Sequence, residues 1–140
     1  MLLPDVNVWL ALAFEYHVHH VAAQAWFEAR QDERCAFCRM TQQGFLRLAT
    51  NPSVFQDEAV SLDQAWRMYD AILGDPRIEF LHEPTHVETY WRRHTQRRLH
   101  SPKVWNDAYL AAFAQAAALE LVTFDKGFAQ YKDVRCTILS

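Results

Sequence analysis

The sequence predicts an α/β fold in which helices cover a parallel sheet, and three features predict it. Short apolar runs alternate along the whole chain with longer stretches of helical periodicity. Parallel strands need a crossover between them, and stretches of that length supply one as a helix. Two of the apolar runs, Met1 to Pro4 and Leu121 to Phe124, end directly in an aspartate, at the strand ends where open sheets of this class gather their ligands.

Met1 to Pro4 reads as a first strand, and after Asp5 the apolar segment Val6 to Phe14 has helical length. A polar break, Glu15 to His20, precedes a helix over Val21 to Arg30. There Val21, Ala25, Trp26 and Ala29 recur at three and four residues while Gln24, Glu28 and Arg30 take the other face. Cys35 to Cys38 is the second strand. Thr41 is expected to cap a helix that closes near Asn51-Pro52, since proline disfavours helical geometry in the residue before it. Ser61 caps Leu62 to Leu73, which stops at Gly74-Asp75-Pro76. Arg77 to Leu81 is a third strand, and Pro84 suits the first turn of a helix reaching Leu99. Asn106 opens an Ala-rich helix to about Leu119. Leu121 to Phe124 and Cys136 to Leu139 complete the strands.

The 140 residues, with 51% hydrophobic and 14% aromatic content, suffice for one substantial core and are too few for two ordinary domains. Three glycines, five prolines and no repeat leave little for a linker, so one domain over 1–140 is expected. A net charge of −3 means that any anionic ligand must be met by a local patch. An odd count of three cysteines, without a leader or a bilayer-length apolar run, favours a cytoplasmic setting. Cys35 and Cys38 have redox-pair spacing but lie in an apolar strand, where buried thiols are expected.

Asp107 stands at the start of the Ala-rich helix, where free N–H groups and the helix dipole favour a carboxylate. With Asp5 and Asp125 it makes three acids that the fold class directs toward one crevice. Clustered carboxylates repel and resist desolvation, and a hard divalent cation removes both difficulties. An oxygen-only set without Cys or His fits Mg²⁺, with Mn²⁺ as a substitute, rather than Zn²⁺; that is the chemistry of phosphodiester hydrolysis. Asn7, Asn106 and Thr123 are the candidates to orient these acids by hydrogen bonds.

Four segments, in order, carry a family resemblance: Leu-Pro-Asp5-Val-Asn7-Val-Trp-Leu-Ala-Leu, Thr41-Gln-Gln-Gly-Phe-Leu-Arg47-Leu-Ala-Thr-Asn-Pro, Trp105-Asn-Asp107-Ala-Tyr-Leu-Ala-Ala-Phe-Ala and Val122-Thr-Phe-Asp125-Lys-Gly-Phe. Together they resemble PIN-domain nucleases, especially the VapC-type toxins of bacterial toxin–antitoxin pairs. The resemblance implies a three-layer α/β/α fold with a central parallel sheet of four to five strands. It also implies a Mg²⁺-dependent endoribonuclease acting on RNA, a homodimer, and inhibition by a VapB-like antitoxin. Asp5, Asp107 and Asp125 match the first, third and fourth family acids. The second is replaced by Gln42, with Gln43 as the other candidate; an amide oxygen can bind a metal or its water but brings no charge and no base.

Between Trp91 and Lys103 lie Arg92, Arg93, Arg97, Arg98 and Lys103 and no acid, a local stripe expected to meet RNA phosphates. Of the five tryptophans, Trp9, Trp26, Trp66 and Trp91 read as core or interface residues, and Trp105, close in sequence to Asp107, as the one functional candidate. His82-Glu83-Pro84-Thr85-His86 spells the zinc-protease signature, but Pro84 denies it the helix that would align the two histidines. His17, His19 and His20 are explained by a polar loop. Because the second acid is missing, a non-catalytic PIN-like domain that binds RNA or protein is the alternative function.

Overall fold

A computed structural model describes residues 1–140. Five short strands, β1 (Leu2–Pro4), β2 (Cys35–Phe37), β3 (Ile78–Phe80), β4 (Glu120–Thr123) and β5 (Cys136–Ile138), form one parallel sheet in the order β3-β2-β1-β4-β5. Seven helices connect them: α1 (Val6–Ala13), α2 (His20–Glu28), α3 (Arg39–Ala49), α4 (Pro52–Phe55), α5 (Leu62–Leu73), α6 (Val87–Thr95) and α7 (Val104–Ala116). The chain builds outward from β1 to β3, then returns to lay β4 on the other side of β1. The β1/β4 boundary is therefore the switch point of the sheet, and the crevice above it is where ligands bind in such folds.

Alternation along the strands produces the three layers. Leu2, Cys35, Phe37 and Val122 join a core beneath α1, α2, α3 and α5, where Trp9 stacks on Phe37 at 4.0 Å. Leu3, Ala36, Cys38 and Leu121 join the opposite core beneath α6 and α7. Cys35 and Cys38 thus face different layers, both buried, and burial pushes the Cys35 thiol up to about 12. The C-x-x-C spacing makes no redox pair.

Several boundaries differ from the sequence reading. Cys38, not Thr41, is the N-cap of α3; Thr41 is the third helical residue and its hydroxyl accepts the Cys38 N–H at 3.0 Å, a reciprocal box that leaves it wholly buried. Helix α6 begins at Val87 rather than Pro84, because the preceding segment is pinned outside the helix by a Tyr109 to Glu83 hydrogen bond and His86 takes a left-handed φ of 73°. It ends at Thr95, short of Leu99. There the Thr95 hydroxyl donates back to the Trp91 carbonyl at 2.8 Å, the local side-chain bond by which threonine competes with helix geometry. Helix α7 begins at Val104, two residues before Asn106. Trp66, read as a core or interface residue, is 49% exposed and so lies outside the core.

Helix α3 lies close against the start of α1. A Cβ on Gly44 would stand 2.6 Å from Val6 Cγ2, so only glycine permits this approach. It brings the first turn of α3, with Gln42, beside the β1–α1 corner that carries Asp5.

Candidate active site

Asp5 leaves β1 and caps α1. Its backbone is extended, and Oδ1 accepts the Val6 N–H at 2.7 Å. Oδ2 turns across the sheet to β4, accepting the Thr123 hydroxyl at 2.9 Å and the Asn7 amide at 3.3 Å. Thr123, the last residue of β4, is completely buried, and its oxygen is a hub. It donates to Asp5, accepts the Asp125 N–H at 3.0 Å and accepts Asn7 Nδ2 at 3.1 Å, which exhausts one proton and two lone pairs. Asn7 Oδ1 then accepts the Phe124 N–H at 3.2 Å. Asn7, Thr123 and Asp5 thus form one hydrogen-bonded network that ties the ends of β1 and β4.

Asp125 follows β4, caps the short 3-10 turn Lys126–Gln130 through a 2.8 Å bond from Gly127 N–H, and keeps its side chain exposed. Asp107 sits in the first turn of α7, half-buried, and its carboxylate accepts no hydrogen bond from the protein. Burial, then the charges of Asp5 and Asp125, push Asp107 up to about 6. Burial raises Asp5 as well, opposed by the Thr123 hydroxyl and the Val6 N–H, with Asp125 adding a smaller upward push. The three acids therefore feel one another across the β1/β4 crevice. They do not close into a ready-made cage of three ligands, as expected of like charges that a counter-ion must draw together. The donor set, carboxylate oxygens with no thiolate or imidazole and one acid free of internal bonds, fits a hard divalent cation.

Other expected residues fall differently. Asn106 is exposed and bonds to none of the acids, because one residue along a helix turns the side chain away from the face Asp107 occupies. Gln42 is buried, with its amide oxygen accepting from Arg39 at 2.5 Å; Gln43 is exposed. The position read as the second acid thus carries an amide already engaged by a cation. The basic residues are split: Arg92 and Arg93 end α6, Arg97 and Arg98 lie in the loop, and Lys103 precedes α7. Arg92 pairs with Glu88 at 2.9 Å and Arg97 donates to Gln130 at 2.6 Å, while Arg98 and Lys103 have no ionic partner. His82 and Glu83 lie ahead of α6 and His86 is its cap, so the H-E-x-x-H residues share no helical face. His17, His19 and His20 form no metal group either: His20 binds the Ala11 carbonyl at 2.7 Å and His19 stacks on Phe124 at 4.2 Å.

Tyr131 was not singled out by sequence. It is buried, its hydroxyl lacks a hydrogen-bond partner, and burial followed by the charge of Asp107 raises its pKa, with Arg97 opposing. No local motif marks it, since it reaches the site by the turn after Asp125.

Replacing Thr123 by Val keeps the shape and removes the hub, leaving the Asp125 N–H and Asp5 Oδ2 short of a partner. A loss of about 2 kcal/mol is expected, seen as a Tm drop of several degrees and faster amide exchange at Asp125. Thr123→Ser should restore most of it; equal stability of the Val variant would show that the network holds nothing.

Residues 2–134 match the PIN domain family. Over 145 aligned residues the chain is 44% identical to ribonuclease VapC41 of Mycobacterium tuberculosis, spanning 100% of this chain and 99% of that protein. Two solved structures share the fold at low identity. One is VapBC2 from Rickettsia felis bound to a DNA fragment from its promoter, with TM-score 0.75, 14% identity and coverage of 99% of this chain and 98% of that one. The other is the sarcin-ricin loop cleaving toxin VapC20 of Mycobacterium tuberculosis, with TM-score 0.66, 17% identity and coverage of 96% and 99%.

Proposed function

The chain belongs to the PIN-domain family, and from that premise we propose that it is a divalent-metal-dependent endoribonuclease, the toxin component of a toxin–antitoxin pair. The observation that carries this reading is the Thr123 hub, which holds Asp5 and the Asp125 backbone at the switch point of the sheet, facing the unpaired carboxylate of Asp107. The full-length likeness to a VapC ribonuclease supports the same reaction.

Asp5 and Asp107 would be the principal ligands of a Mg²⁺ or Mn²⁺ ion, and Asp125 would hold a metal-bound water or a weaker second ion. Such a cation, when bound, neutralises the acids, polarises the phosphodiester and makes water at the site more acidic. Thr123 and Asn7 fix the Asp5 carboxylate so that little reorganisation is needed during cleavage. Arg92, Arg93, Arg97, Arg98 and Lys103 hold the RNA backbone, with Arg98 and Lys103 the least engaged elsewhere. Gln42 adds no charge, so the site works with three acids and one strong metal position. The 140 residues act as a single domain in the cytoplasm, as a homodimer restrained by a VapB-like antitoxin. No helix is long and apolar enough to cross a membrane. Exposed Tyr16, Val18 and Val21 offer apolar surface to partner chains.

Chelation of divalent metal is expected to abolish cleavage of single-stranded RNA, and Mg²⁺ or Mn²⁺ to restore it. The engaged amide at Gln42 favours one competing reading, a PIN domain that only binds. RNA binding without cleavage at any metal concentration would establish that reading and overturn this one.

A further inference from the structure

Trp105 is 56% exposed on the first turn of α7, two residues before Asp107. Its position is nonetheless fixed. The Trp91 ring meets it edge-on at 6.1 Å and 84°, and Trp91 Nε1–H donates to the Trp105 carbonyl at 3.0 Å. The pair presents the flat aromatic face of Trp105 at a defined place on the surface. Two hollows meet at this ring: one of about 350 Å³ toward Trp91, Arg92 and Gln96, and one of about 240 Å³ toward Arg97, Leu99 and Ser101.

The charge around the ring separates the two kinds of occupant that an exposed tryptophan suits. From Thr89 to Asn106 the chain contains no acid and five Arg or Lys residues, on a protein whose net charge is −3. Glu88 is the only carboxylate in either hollow, and it is taken by Arg92. An apolar protein face would have to desolvate these cations without pairing them. A polyanion with flat apolar bases satisfies both the ring and the cations.

We infer that Trp105 is a stacking platform for one nucleobase of a single-stranded RNA, whose neighbouring phosphates are held by Arg97, Arg98 and Lys103. This rests on the nuclease reading of the acidic site and extends it to a second contact with the strand, at the start of the helix that carries Asp107 but on a different side of it. Stacking is tolerant of sequence, so the platform favours unpaired RNA over duplex without choosing a base.

The test uses the full chain carrying Asp5→Asn, so that RNA is bound and not consumed. Affinity is measured for a short mixed-sequence single-stranded RNA and for the same backbone with abasic positions. Trp105→Ala is expected to weaken binding of the first by about tenfold and to leave the second unchanged, with Trp105→Phe recovering most of the loss. Thermal melting of both variants confirms folding. Equal affinity of Trp105→Ala and its parent for intact RNA overturns the platform, as does an equal loss on the abasic strand. Unchanged RNA binding with altered self-association assigns the ring to a protein interface instead. If the chain with Asp5 intact neither binds nor cuts RNA, the nuclease reading itself fails, a result distinct from loss of the platform alone.

Discussion

Asp5→Asn is expected to lower RNA cleavage by on the order of a hundredfold or more while leaving the fold intact. The two effects separate because Asp5 does two jobs with two oxygens. Oδ1 caps α1, and the amide oxygen of Asn caps as well. Oδ2 faces Thr123 and the crevice, and an NH₂ group there removes both a negative charge and a metal ligand. Burial already disfavours the charge at this position, and that relief offsets part of the cost of turning an NH₂ group on the Thr123 hydroxyl and the Asn7 amide, so a modest loss of stability is expected. Cleavage assays with Mg²⁺ and with Mn²⁺, alongside a thermal melt, check both halves. Undiminished cleavage by a pure preparation sinks the assignment of the site.

Asp107→Asn is expected to abolish cleavage and to make the metal-free protein more stable at neutral pH. With its folded-state pKa raised from 3.8 to about 6, Asp107 binds its proton more tightly in the folded chain than in the unfolded one. Its contribution to stability is therefore fully present below the unfolded value and is lost as pH rises through the folded value. A rise of that size corresponds to ~3 kcal/mol if fully felt, which solvent around a half-buried group reduces to about 1 kcal/mol. The variant and parent should melt together near about pH 4 and diverge by roughly 3 °C in favour of the variant near about pH 7. Divalent metal should then stabilise the parent and not the variant, since only the parent gains a ligand-bound folded state. A Tm difference that does not change with pH would show that neither burial nor the charges of Asp5 and Asp125 disfavour the Asp107 carboxylate. The expected gain is the mark of a functional site, where the fold tolerates repulsion that catalysis needs.

The layers of the fold were legible because they depend on local signals. The run Cys35-Ala-Phe-Cys38 alternates between two cores, Ser61 caps α5 as its residue type prefers, and Asn51-Pro52 separates α3 from α4. Errors gathered where a tertiary contact outweighed a local preference. Pro84 has the chemistry of a helix start, but the Tyr109 bond to Glu83 holds that segment outside α6. Thr41 has the chemistry of a cap, but one residue of each box must be interior, and the strand ends at Cys38. The basic stripe is real in sequence, yet the early end of α6 spreads it over a helix end and a loop.

By itself the sequence determined the parallel α/β class and singled out three acids as candidates whose donor chemistry suits a hard cation, since each is a property of residue type and of position next to a strand or helix. Asp5 and Asp125 were visible as strand-end carboxylates. Only the tertiary structure decided that β4 returns beside β1, so that residues 118 positions apart share the 2.9 Å bond from Thr123 to Asp5. It alone showed that Gln42 is engaged by Arg39, that Asn106 turns away, and that the buried Tyr131, its hydroxyl unpaired, feels the charge of Asp107. The reason is physical: a side chain's chemistry is local, but its charge state and its partner are set by what the fold brings against it.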